Sequence, residues 1–395
     1  MVNQRNWGMG LGLAAVVLGG CAVQDGEVSE VAIDPAERPQ VVATSGVLCD
    51  LARQVAEDTI TLTCLLAPGQ DPHTYQARPS DRQAVDTADL VLYDGYDFAP
   101  SVLSVVVSSR NPAPKVAVLE AAVPNPLMGQ AHDHDHSHDH DHSHDQGHSH
   151  DHEAEPGSHN SAAEKEQDAD HSHDHDQSHD QDAKASDPAS PAPAASVVTS
   201  TGNDADLVPD PHVWHNARHN AALAEVIAEA LAQVNPDQAS RYQAKATQLA
   251  DQFIALDDWI QTQAATVPAQ NRRLVTTHDA FRYFAEAYGF EVKGALSGLN
   301  TDAQPSPKAL TALVDQIKAA TVPAIFAEST TNPALIQTVA NNAGVAVADQ
   351  PLMVEGPGDP DSVAPNTQAM LVVNTCTIVN ALGGTCQTSE APLTP

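Results

Sequence analysis

Three histidines in short, stiff motifs, on widely separated stretches of the chain, are the residues best placed to do chemistry. His73 lies in Pro68-Gly69-Gln70-Asp71-Pro72-His73-Thr74-Tyr75, His212 in Pro209-Asp210-Pro211-His212-Val213-Trp214, and His278 in Thr276-Thr277-His278-Asp279-Ala280-Phe281. Asp-Pro-His thus occurs twice. Proline fixes its own φ and pushes the preceding residue into an extended form, so the imidazole that follows is aimed by a stiff turn. Three neutral imidazoles at the ends of different elements suit one Zn²⁺, with Zn–N near ~2.0–2.1 Å and water or a carboxylate as fourth ligand. Any one of the three, taken alone, reads as well as a turn or core histidine. His215 and His219 form an i, i+3, i+7 series with His212, but Pro211 and the Trp214-Asn216 stretch start the helix after His212, so that face is not expected to ligate. Asp71, Asp210 and Asp279 are expected to form turns or to orient the imidazoles.

The other fifteen histidines fall between about Ala131 and Asp187, among seventeen Asp and Glu and only Lys165 and Lys184. The tract carries −15 of the net charge of −34, leaving −19 for the rest. That balance argues against nucleic acid and an anionic membrane surface as partners. With almost no apolar residues to build a core, 125–206 is expected to be a disordered insert that binds transition metals loosely and many times over. A solvated loop with no required role is the alternative.

An apolar run from about Trp7 to Leu18 is too short to span a bilayer and suits a signal-peptide core. Leu18-Gly19-Gly20-Cys21 resembles the lipobox of bacterial lipoproteins, in which Cys21 would be lipidated and become the mature N-terminus, tethered to about Gln40. An ordinary secretory signal is the alternative; either way the protein is exported. An oxidising compartment allows Cys49, Cys64, Cys376 and Cys386 to pair in three ways. The local pairs, Cys49 with Cys64 and Cys376 with Cys386, are favoured over free thiols. None is spaced as a zinc knuckle.

The elements that must position the histidines follow from the apolar pattern. Segments 41–43, 60–66, 90–93 and 116–119 read as strands, with helices at 49–57, 82–88 and 100–109 between them. The alternation resumes with strands at 274–276, 291–294, 324–326 and 345–348 and helices at 281–288, 308–319 and 333–341. Such alternation implies parallel βαβ units. Between the two sets runs a helix that Asn235 is expected to cap, with Pro236 at its first position and Val267-Pro268 ending it. Tyr242, Ala246, Leu249, Phe253, Leu256 and Ile260 fall on one stripe of that helix, which at 1.5 Å per residue runs roughly 40–45 Å. The expected fold is α/β: two lobes of parallel βα units joined by one long rigid helix, with a disordered His/Asp-rich insert. The expected boundaries are 1–20 for the signal peptide, 21–40 for the tether, 41–124 with 207–234 for the N-terminal lobe, 125–206 for the insert, 235–267 for the linking helix and 268–390 for the C-terminal lobe.

Gly69-Gln70-Asp71-Pro72-His73-Thr74-Tyr75, followed by Pro79-Ser80-Asp81, resembles the first signature of the metal-binding substrate-binding proteins of bacterial ABC importers. Asp210-Pro211-His212-Val213-Trp214 resembles their second, and Thr277-His278-Asp279-Ala280-Phe281-x-Tyr283-Phe284 their third. The likeness covers 41–382 apart from the insert, in family order. It is greater to the zinc branch, because manganese members usually carry Glu at the place of His278 and zinc members tend to carry a His/Asp/Glu-rich insert ahead of the second motif. The family's fourth ligand is usually an Asp; the matching position is Glu355, in Leu352-Met353-Val354-Glu355-Gly356-Pro357. Glu for Asp is one departure, and His215-Asn216 in place of the usual Leu-Asp is another.

The resemblance implies a monomeric, lipid-anchored receptor that captures Zn²⁺ and hands it to an ABC permease driven by a separate cytoplasmic ATPase. The chain has no Walker-type glycine loop and cannot itself supply the ATP step. Two other classes stand beside this reading. One is an exported zinc hydrolase with a His₃ site and a water, although no His-Glu-x-x-His motif or separate general base is evident. The other is a metal-buffering or adhesive surface lipoprotein in which the tract is the main business.

Overall fold

In this computed structural model the described residues are 37–130, 207–299, 301 and 305–393. Cys21, the signal and most of the tether lie outside them, as does 131–206 of the insert.

The chain opens with β1 (Gln40–Ala43), α1 (Gly46–Ala56), β2 (Thr61–Cys64), α2 (Pro79–Thr87), β3 (Leu90–Tyr93), α3 (Pro100–Ser108), β4 (Lys115–Ala117) and α4 (Val118–Ala122). The four strands form one parallel sheet in the order β2-β1-β3-β4. α1 starts where Ser45, extended, caps it by accepting from the Leu48 amide. Segment 116–119, expected as a strand, divides after Ala117 and continues as α4.

The insert is rooted in a two-stranded antiparallel stem, β5 (Met128–Gln130) with β6 (Leu207–Pro209). This corrects the expected start of the insert at Asn125. Leu127 and Met128 are apolar, and Gly129 is pressed so closely on Arg282 and Leu299 that a Cβ would collide with both. After the stem come a 3₁₀ turn at Val213–His215 and two long helices, α5 (Ala217–Val234) and α6 (Ala239–Ala265). Asn235 does not cap α6 as expected. It ends α5, precedes a 3₁₀ turn at Pro236–Gln238, and donates its side-chain amide to the Tyr242 hydroxyl at 3.0 Å. The expected stripe from Tyr242 to Ile260 is buried throughout. α6 packs against α1 and α5 on the side of the first sheet and against α7 (Arg282–Tyr288) and α10 (Thr367–Ala381) on the other.

The later half holds β7 (Arg273–His278), then α7, β8 (Glu291–Ser297), α8 (Pro307–Ala320), β9 (Ala324–Ile325), α9 (Pro333–Ala343) and β10 (Ala346–Val347), ending with α10. β7 pairs with β8 and β9 with β10, both parallel, and the Phe326 amide bonds the Val275 carbonyl to join the two pairs. One continuous apolar core runs from Val41 through α1, α5 and α6 to Leu382. Disulfides join Cys49 to Cys64, tying α1 to β2, and Cys376 to Cys386, tying α10 to the segment after it. Among the described residues no helix is long and apolar enough to cross a membrane.

Candidate metal centre

His73, His212, His278 and Glu355 arrive from four separate segments, and one donor atom from each lies within 4.8 Å of every other. His73 stands on the loop after β2, His212 three residues after β6, His278 at the last position of β7 and Glu355 on the loop between β10 and α10.

The repeated Asp-Pro-His motif makes the same local turn twice. Asp71 Oδ1 accepts from the His73 amide at 2.9 Å, and Asp210 Oδ1 accepts from the His212 amide at 2.9 Å. Asp side chains bond in this way to their own backbone two residues on. The two turns then differ. Asp210 Oδ1 also meets His212 Nδ1 at 2.9 Å, whereas the other oxygen of Asp71 takes the hydroxyl of Thr301. His278 is held by Glu328, one carboxylate oxygen meeting Nδ1 at 2.6 Å and the other accepting from the amides of Thr277 and His278 at 3.1 and 3.0 Å. A carboxylate on Nδ1 fixes the tautomer and leaves Nε2 free for an ion. Asp279, expected to form a turn or to orient an imidazole, faces Arg282 across 3.8 Å.

The Glu355 loop is held from two directions. The Trp214 indole donates to the Val354 carbonyl at 2.8 Å, and the Asn374 amide brackets both backbone groups of Met353 at 2.8 and 2.6 Å.

His278 Nε2 lies 3.3 Å from His212 Nε2 and 3.4 Å from Glu355 Oε1, which is 3.6 Å from His73 Nε2. A tetrahedral ion with bonds of ~2.0–2.1 Å has ligand-to-ligand edges of roughly 3.3–3.4 Å. Neither oxygen of Glu355 nor His73 Nε2 has a hydrogen-bond partner among the described residues. Buried polar groups seldom go without one, so the orphaned atoms fit a cation between them. Burial, with the neighbouring imidazoles His278 and His73, drives His212 well below the ordinary imidazole range and so towards the neutral form that ligates. Burial also raises the Asp210 carboxyl, to about 8. His278 goes the other way: burial pushes it down, but the charge and hydrogen bond of Glu328 outweigh that and carry it up to about 9.

His215 and His219 stay out of the cluster. The His215 ring is buried and stacked on Phe281 at 4.2 Å, and burial pushes it down to about 3. His219 points its Nδ1 at the Val213 carbonyl, 3.1 Å away.

The model of a family described as ZnuA, zinc-uptake complex component A, periplasmic, matches residues 41–381. The chain belongs to this family. The high-affinity zinc uptake system protein ZnuA of Paracoccus denitrificans is 32% identical over 304 residues, 77% of this chain and 80% of that protein. The manganese-binding lipoprotein MntA of Halalkalibacterium halodurans is 24% identical, covering 85% of each chain. The solved periplasmic zinc-binding protein TroA of Treponema pallidum superposes with a TM-score of 0.65 at 25% identity, over 87% of this chain and 99% of that one. Membership makes the chain an exported metal-binding receptor of an ABC uptake system, working with a permease and an ATPase, and a transport component, not an enzyme. The relatives divide between zinc and manganese.

Glu328, on His278, and Phe98, edge-on to His73, are neighbours of the cluster that sequence reasoning passes over. Glu328 comes directly after the apolar segment 324–327 much as His278 closes β7, and an acid at such a strand end was the available signal.

Proposed function

We propose that this receptor's cargo is Zn²⁺, held by Nε2 of His73, His212 and His278 and by one oxygen of Glu355. The observation that carries the reading is the donor set itself: three imidazoles and one carboxylate whose donor atoms all lie within 4.8 Å of one another, three of the separations being 3.3, 3.4 and 3.6 Å, close to the edge of a zinc tetrahedron. Imidazole suits zinc, whereas carboxylate and water suit manganese. The 32% identity to a protein named for zinc uptake supports the same choice. Cys21 anchors the monomer to the membrane by lipid, and the lobes are 41–130 with 207–234, and 268–390, joined by 235–267. The metal is delivered to the permease by rearrangement of the loops around it. A cavity of about 200 Å³, lined by Pro68, Gly69, Gln70, Pro72, Glu355 and Pro357 among others, reaches the site from those loops.

Competition between Zn²⁺ and Mn²⁺ in calorimetry tests the cargo, with zinc expected to win by orders of magnitude. Equal affinities would overturn the zinc reading. A metal-bound crystal structure with His215 or His219 on the ion would overturn the ligand set.

A further inference from the structure

Two of the three histidines have a carboxylate on the ring nitrogen that faces away from the cluster. His73 has none among the described residues; Asp71 holds only its backbone amide. What meets the His73 ring is Phe98, edge-on at 5.3 Å between centroids with the planes 86° apart. The same ring lies 5.9 Å from His212 and 5.0 Å from Trp214 and is 1% exposed.

The backbone that presents Phe98 is unusual. Gly95, Tyr96 and Asp97 have φ of +90°, +50° and +55°, three successive left-handed residues of which two carry side chains. Non-glycine residues visit that region at a cost and persist there only when their surroundings over-determine them. The surroundings are on α4 and the residue after it: Glu120 accepts from the Tyr96 amide at 2.9 Å, the Leu119 amide bonds the Asp94 carbonyl at 3.0 Å, and the Tyr96 hydroxyl bonds the Val123 carbonyl at 2.5 Å. Glu120 also lies so close over Gly95 that a Cβ there would strike its carboxylate. The turn closes with the Phe98 amide on the Gly95 carbonyl and drives the phenyl ring inward.

We propose that Phe98, presented by this latched left-handed turn, is the positioning residue of His73. Its ring wall does for that imidazole what Asp210 and Glu328 do for the other two. The inference rests on His73 being a zinc ligand. It is a contact that confines the ring by shape, so it fixes the angle at which Nε2 meets the ion without adding a charge.

The test is zinc release from the full-length protein into excess chelator, read from the slowest phase, for Phe98→Leu, His73→Ala and the double variant. Phe98→Leu is expected to release zinc about tenfold faster. The double variant is expected to bind no more weakly than His73→Ala alone, since a residue acting through His73 has nothing left to act on. Wild-type release from Phe98→Leu, or a further tenfold loss in the double variant, would overturn the proposal and leave the ligand set standing. Wild-type affinity in His73→Ala would instead overturn the ligand set. If Phe98→Leu fails to fold, Glu120→Ala, which removes the acceptor of the Tyr96 amide, carries the test from an exposed position. Faster release that vanishes in the His73→Ala background supports the latch, and unchanged release overturns it.

Discussion

Zinc binding should expel a proton from His278, and the structure sets how much that costs. In the metal-free pocket the Glu328 carboxylate outweighs burial and holds this imidazole near about 9, so at pH 7 it is protonated. Nε2 must lose its proton to ligate. Two pH units below that value, the apparent affinity is lowered about 100-fold, or about 2.7 kcal/mol at 1.36 kcal/mol per unit. The sign follows from the raised value: affinity rises about tenfold per unit from pH 7 to about 9 and levels off above it. His212, driven down by burial, adds nothing in that window. Glu328→Gln removes the largest influence raising His278 and leaves only the charges of Glu355 and Asp71 to oppose burial, so the value falls from about 9. The mutant should therefore bind with a shallower pH dependence above 7 than the wild type, whatever happens to its absolute affinity. Competition with a chromophoric chelator from pH 6.5 to 10, corrected for the chelator's own protonation, measures the slope. Calorimetry at pH 7.5 in buffers of different ionisation heat counts the proton. A flat wild-type curve between pH 7 and 9, or an equal slope in Glu328→Gln, would refute the reasoning.

His278→Glu should move preference from zinc towards manganese, lowering zinc affinity by roughly 10–100-fold or more, as competition titration will show. Removing 131–206 and closing the β5–β6 stem with Asn-Gly should keep the tight site and abolish weaker zinc ions, counted by calorimetry. The cut must spare Leu127, whose backbone bonds both Tyr283 and Asp210; a shortened protein that lost its tightest site would make the tract the receptor. Stripping zinc from protein kept in free zinc at 1,000 times the Kd should remove about 4.1 kcal/mol of stability. In differential scanning calorimetry that is on the order of 8 °C in Tm at 2 °C per kcal/mol.

His73, His212 and His278 are legible in the sequence because proline and short motifs set their geometry within a few residues. The α/β alternation is legible for the same local reason. Glu355 is legible only by resemblance: Met353-Val354-Glu355-Gly356 has no spacing signal, and Trp214 and Asn374, which place it, are far away along the chain. Glu328 reaches His278 only because β7 and β9 become neighbours, which no local pattern reports. α10 escapes notice because it is buried on nearly every side and so shows no apolar stripe. α5 is rich in alanine, whose small side chains mark its period faintly beyond the start at Asn216.

The four donors are drawn from opposite ends of the polypeptide, and none is a close neighbour in sequence of another. From these four segments a nascent or partly refolded chain therefore offers an ion only separate donors, and this chelate exists only once the strands and loops that carry them are in place. Contacts so distant in sequence form late. Zinc at this site then has little to hold in the folding transition state and everything to hold in the native one. It should leave the folding rate nearly unchanged and slow unfolding, so that the loaded receptor persists in a compartment of proteases while the empty one turns over.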